Sequence, residues 1–484
     1  MAEPPGLSDA ERRLWRAFPT GTVVALGDEA PAGPDPDRIV RAEVISQLLL
    51  GACEPRSGFV PAVRLSGAYV IGPLDLSGGT VEYELRLTHC RLAEAPDLSN
   101  AQARQLRLSN CRMPGFDGGG LRADGYLSLS GSEIGGPVRL PRAQLTGGLR
   151  MNGTKVSTTE PADWALFAGG MVVEVGFFAR ECEITGGIRL VGARLNGGLW
   201  MEDAVLANPG RLAVDAQNMV VEDAAEFSRA TITGTVRLRS ARINGLLSFT
   251  RSRLDSGTAG RMALHASHMQ CDELLLWPAE KIKGTVALSY SRINLIMDHP
   301  DIWPDELWLN GLTYETLRGG RFKDRLSWIS RDKEFHTQPY EQLSAWYHGI
   351  GHDDLARKVQ LAKMRVRRRN VHPVGRAWNV LLDWTVGYGY RPWLAFAWFG
   401  VLVGIGTLVF SAHPPRSIKP GDERPDFHAF VYTLDLLIPI DTFGQQQAYD
   451  PQGWSRWVAY ALVATGWILA TALIAGVTRV LRPN

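Results

Sequence analysis

The amino-acid order points to a mainly β protein: a solenoid of short strands with about 22 residues per coil, then an α-helical neck, then two transmembrane helices. Three observations lead there. An 11-residue pattern recurs from Val63 to Asp298. Two late stretches, Pro392–Ala412 and Trp457–Thr478, carry no charged residue and are each long enough to cross a bilayer core. A segment dense in arginine lies between the repeat and the first of these stretches.

The pattern is read most easily in IRLVGARLNGG at Ile188–Gly198. It returns as VRLPRAQLTGG from Val138, LRLTHCRLAEA from Leu85, LRLSNCRMPGF from Leu106 and VRLRSARINGL from Val236. The template is apolar-x-Leu-x-x-small-x-apolar-x-turn-turn. Side chains alternate across a strand, so positions one and three share a face. The small residue and the apolar residue two places on make a second inward pair. Gly and Asn at the end turn the chain. Each unit supplies two short sides, two units close one coil, and stacked coils share one apolar interior. About ten coils fit between Val63 and Asp298, with loops inserted near Thr154–Gly170 and Ala207–Asp223.

These units resemble the pentapeptide-repeat family, although one side in each pair is six residues long. The resemblance covers roughly half the chain and implies a right-handed four-sided β-helix. Cys90, Cys111 and Cys182 fall in the small-residue column beside Ala68, Ala143, Ala193, Ala230 and Ala241, and read as buried structural thiols. Arg91, Arg112, Arg194, Arg242 and Arg292 stand next to that column and point outwards, as a basic stripe or as a solvated face. The open N-terminal end of a solenoid needs a cover. Ser8-Asp9-Ala10-Glu11 is a capping box opening a short helix, ERRLWRAF, and a second helix is expected over roughly Asp37–Ala52. The expected divisions are a cap over residues 1–62, the solenoid over 63–306, the neck over 307–391 and the membrane hairpin over 392–484.

In the neck, Tyr340–Arg369 reads as two helices around Gly349-Ile350-Gly351, similar to a tetratricopeptide hairpin. Its basic end, with Arg365, Arg367, Arg368 and Arg369, lies just before the first uncharged stretch. Positive charge there places the neck, and both chain ends, in the cytoplasm and against anionic lipid heads. The start, MAEPPGLSDAERR, lacks the pattern of a signal peptide. Thr385–Gly389 reads TVGYG, the filter string of potassium channels, yet it precedes the first stretch with no span upstream. Flanked by Trp384, Tyr390 and Arg391, it fits an interfacial turn into the membrane.

Residues 427–445, between the two stretches, are apolar but too short to cross, and hold Asp435, Pro439 and Asp441. The layout resembles the pore domain of tetrameric cation channels. On that pattern Ile440–Gly444 takes the filter position, with Asp441, Thr442 and Gly444 in it, Asp435 behind it, and Gly466 near an inner-helix hinge. A single Gly, and a carboxylate ring from Asp441, depart from a potassium filter. The other reading is an amphipathic helix on the outer surface. Gly400 with Gly404, and Ala472 with Gly476, are small pairs that favour helix packing and a homo-oligomer.

Basic residues number 52 and acidic ones 50, so bulk charge names no partner, and 44 of the 52 are Arg, the bias of a GC-rich bacterial genome. The five Cys form no CxxC pair. His265, His268 and Asp272 are close in sequence, but no metal site, cofactor loop or acid–base constellation is expected, and no catalytic residue is named. Chains of this layout resemble actinobacterial proteins labelled membrane-associated oxidoreductases; no motif here supports that chemistry. Nucleic acid is the poorer partner for the arginine run. The expectation is therefore a multi-pass protein of a bacterial plasma membrane, with lipids, further copies of itself, and a protein or small ligand on the solenoid as partners. A scaffold or sensor is the first reading and a gated cation channel the second.

Overall fold

A computed structural model describes residues 4–158, 164–258, 260–369, 392–419, 425–438, 440 and 443–481. The chain divides into two compact units, residues 1–342 and 343–484.

The first unit is a parallel β-solenoid of about eleven coils. Every coil offers four short strands, and each stacks in register on the next coil: Leu127 on Leu149, Ile134 on Val156, Phe116 on Val138 and Ala123 on Leu145, each 22 residues apart. The inward columns are those of the template. Ile188, Leu190, Ala193 and Leu195 are all fully buried, as are Leu199 and Met201 one unit later. Cys90, Cys111 and Cys182 occupy the small column and are buried, the place expected of them. Polar members of that column donate to the coil before: Ser132 Oγ to Leu108 O at 2.8 Å, Thr154 Oγ1 to Leu129 O at 3.0 Å. A hydroxyl can sit in this dry interior only because a carbonyl already waits there.

The corners differ from expectation. The sharp turn falls at the fifth template position, directly before the small residue. Twelve described non-glycine residues adopt left-handed backbone there or at the equivalent point of variant units, among them His89 (φ 51°), Arg142 (φ 57°) and Arg229 (φ 58°). Glycine is optional at this corner because the neighbouring coils' ladder bonds hold the backbone in place. Insertions fall at one corner. Val138 pairs Leu166 and Val236 pairs Leu264, each 28 residues apart, against the usual 22. The third insertion, Asp255 to Met262, had no signal in the template.

Helix α1 (Asp9–Ala17) starts at the expected capping box: Ser8 Oγ accepts from Glu11 N at 3.2 Å, and Glu11 Oε2 accepts from Ser8 N at 2.8 Å. Helix α2 is shorter than expected, Ala42–Leu49, because Ile39–Arg41 is drawn into a strand on Tyr69–Ile71. Val24–Ala25 pairs Leu65–Ser66 in the same way, so the cap covers two ladder edges. At the other end the template loosens from Leu307, yet Leu307–Trp308 and Thr313–Arg318 still pair. Helix α3 (Phe322–Ser330) then closes the core with Trp328 and Ile329.

Helices α4 (Gln338–Gly349) and α5 (Asp353–Arg369) form around Gly351, as expected. In the second unit, α6 (Pro392–Ala412), α7 (Ala429–Leu437) and α8 (Ser455–Leu481) pack together around Phe410, Tyr432, Leu436 and Leu462. Both expected spans are thus helical, and part of each lies beyond the described side chains. Among the described residues no helix is long and apolar enough to cross a membrane. TVGYG lies outside the described residues.

Candidate functional site

Helix α7 ends where Ile438 turns extended (ψ 119°) ahead of Pro439, the conformation a residue before proline requires. Asp435 lies on the last turn and is fully buried. Its carboxylate faces the returning loop: Oδ1 accepts from Phe443 N at 3.0 Å and Oδ2 from Gln446 N at 2.8 Å. Gln445 Nε2 donates to Asp426 O at 2.8 Å, and the Tyr449 hydroxyl to Pro425 O at 2.5 Å. The loop is therefore held from both sides. Gly444 sits within it in left-handed backbone (φ 67°). Gly466 of α8 backs onto the Leu437 carbonyl, where a Cβ would collide. Asp435, Gly444 and Gly466 thus belong to one helix-loop assembly; Asp441 and Thr442 lie outside the described residues.

Gly400 and Gly404 meet nothing within 4 Å and do not pack helices inside the chain. Gly406, which sequence reasoning passed over, is the close-packed one, and its Cβ would strike Thr433. Three glycines on one uncharged stretch gave no means of ranking them. Ala472 and Gly476 lie in α8 beyond its described side chains. Each long helix leaves one uncharged stripe exposed: Val401, Gly404, Ile405 and Leu408 on α6, and Trp457, Tyr460, Ala464, Trp467 and Ile468 on α8. Arg365 and Arg367 are exposed on α5, and the side chains of Arg368 and Arg369 lie outside the described residues.

The solenoid surface corrects the arginine stripe. Arg91 and Arg112 stack in one ladder, where Glu133, Lys155 and Glu183 follow them and pair as Arg112–Glu133 and Lys155–Glu183, both at 2.9 Å. Arg194, Arg242 and Arg292 stand in a different ladder, separated by Val220 and Gln270. A second arginine row, unseen in the template, does align: Arg64, Arg86, Arg107, Ser128 and Arg150 occupy consecutive coils. Phe178 and Trp200 continue it, their rings stacked 6.5 Å apart.

A cleft of about 200 Å³ opens at the end of the repeat, lined by Tyr290, Trp308, Asn310, Asp332, Lys333 and His336. The Tyr290 ring stacks on His268 at 5.1 Å and lies over Gly311, which has no Cβ to obstruct it. His336 Nδ1 is 3.1 Å from Asp332 Oδ2. Burial pushes the Asp332 carboxyl up, against the opposing hydrogen bonds from His336 and the Leu309 amide. This arrangement suits a small ligand with an aromatic face, and its Asp–His pair can pass a proton.

His265, His268 and Asp272 do not converge. His265 lies in the ladder between Arg237 and Ala287, His268 stacks at a corner, and Asp272 accepts from Asn294 Nδ2 at 2.9 Å. Among the described residues no three metal-ligating side chains form a group. Neither a protein-family model nor a curated protein matches the chain.

Proposed function

We propose that the protein is a scaffold or sensor of a bacterial plasma membrane, held there by α6 and α8 with both ends in the cytoplasm, its solenoid binding a partner. The observation that carries the reading is the pair of uncharged stripes. Leu408 is 74 % exposed and Trp457 75 %. A helix facing water places charged residues on its outer face; these two place Val, Ile, Leu, Trp and Gly there. Lipid, or the same stripe of a second copy, satisfies such a surface. The parallel β-solenoid, with its likeness to pentapeptide-repeat proteins, supports the second half of the reading, since stacked coils present long faces suited to a partner.

The test is alkaline washing of membranes from bacteria producing the full chain. The protein is expected to stay in the pellet, and an Ile405→Lys/Trp467→Lys variant to shift to the supernatant. Release of the unaltered chain would overturn the reading.

A second reading, a cation-conducting oligomer, is favoured by one observation: Asp435 stands behind a loop and holds two of its amides. Cation flux through liposomes containing the full chain, lowered by Asp441→Asn, is its expected result. Silence both with and without the solenoid would end it.

A further inference from the structure

We propose that Arg64, Arg86, Arg107, Tyr126 and Arg150 form an oxyanion site on the solenoid, and that it takes a compact, freely diffusing polyphosphate anion seated at Arg107 and Arg150. The proposal deepens the reading of the solenoid as the binding part and does not depend on the membrane.

Four of the five positions in the row carry a guanidinium, one coil apart at roughly 4.8 Å per coil. Like charges on neighbouring strands destabilise a sheet, so this row costs stability wherever no anion meets it. Glu84 offsets part of the cost. It is 2.7 Å from Arg64 Nη2 and 2.8 Å from Arg86 Nη2. Arg107 and Arg150 have no carboxylate partner among the described residues. Burial and then the neighbouring Arg86 pull Arg107 below the usual arginine range.

Both flank one ring. Their guanidinium carbons lie 5.3 and 4.4 Å from the centroid of Tyr126, which belongs to the coil between them. The Tyr126 hydroxyl is buried without a hydrogen-bond partner. A guanidinium only donates, so neither arginine can take that proton. A phosphate oxygen can accept from both arginines and from the tyrosine at once. In the row, Ser128 replaces arginine between the two, and Thr88, Ser109, Ser130 and Asn152 lie two residues further along their strands as neutral donors.

The geometry also selects the ligand. Tyr126 has its ring occupied by arginines, which leaves no stacking platform for the bases of a single strand. The row is one residue wide and ends at Phe178, a poor match to a broad lipid surface. The arginine fork favours planar, two-point contacts with phosphate oxygens, and several phosphates on one small molecule use several forks.

The test is calorimetric titration of detergent-purified full chain with sodium tripolyphosphate in about 0.1 M salt. Saturable binding is expected. Arg107→Gln/Arg150→Gln is expected to weaken it about tenfold or more, and Tyr126→Phe by a few fold. Glu84→Gln frees Arg64 and Arg86 and is expected to tighten it a few fold, a gain that misfolding cannot mimic. Absence of binding at about 1 mM, or equal binding by the double variant and the unaltered chain, would overturn the proposal. So would binding confined to phosphoinositide vesicles, which would make a lipid head the source of the phosphate.

Discussion

Glu11 and Asp298 mark the two ends of the solenoid, and each is buried against an arginine. At the N-terminal end, Arg41 meets Glu11 through Nε and Nη2, both at 2.8 Å. Burial alone would raise the Glu11 carboxyl, but bonds from Arg41 and from the Ser8 and Arg41 amides outweigh it and hold the group below its ordinary 4.5. A carboxyl lowered in the folded chain contributes stability above its unfolded value and loses it as pH falls through the folded one. Acidification below about pH 4.5 is therefore expected to speed hydrogen exchange in residues 8–18 ahead of the coils; uniform loss of protection would refute this. At the other end, Asp298 takes the interior place that Leu276 holds one coil earlier. Arg325 donates to it at 2.6 and 2.8 Å, and Trp303 Nε1 at 2.6 Å. Asp298→Asn leaves a buried guanidinium unpaired and is expected to cost about 3–5 kcal/mol in denaturant unfolding. Asp298→Leu with Arg325→Met is expected to recover most of that, since an apolar pair needs no hydrogen bonds. A double variant as weak as the single one would assign the pair another task.

Each half-coil obeys one packing rule and one backbone rule, and only the first was plain in the residues. The small column is narrow because the ladder brings successive coils together at strand spacing. Ala193 therefore has no room to grow, and Ala193→Leu is expected to cost about 1–3 kcal/mol by overpacking. A neutral result in thermal unfolding would mean that the interior yields. The backbone rule, a left-handed residue at the fifth position, escaped the sequence because its residues have nothing in common: His89, Asn110, Arg142, Glu181 and Tyr290 all adopt it. Most are residues that rarely choose that conformation locally, so it is imposed by the bonds of the coils around them. The short helices show the same override. The expected Asp37–Ala52 helix lost its first turns to a strand because the solenoid's edge offered hydrogen bonds to Ile39–Arg41.

Over the whole solenoid, each coil touches only its neighbours, and the two ends carry the unpaired edges. Removal of residues 1–41 strips the strands that cover Leu65–Ser66 and Tyr69–Ile71 and is expected to drive association of the chains through that edge, read by light scattering. A monodisperse truncated chain would show that the edge is otherwise guarded. The period, the inward columns, the buried thiols and the uncharged stretches were determined by the sequence alone, because each depends on residues a few places apart. Only the tertiary structure decided which outward residues share a face. An odd number of half-coils puts Arg112 and Arg194 on different ladders. A six-residue insertion puts Phe178, not a residue 22 places on, above Arg150. Asp298 finds Arg325 and Asp435 finds Gln446 for the same reason. Neighbours in a solenoid are a whole coil apart in sequence, so every insertion resets which of them meet.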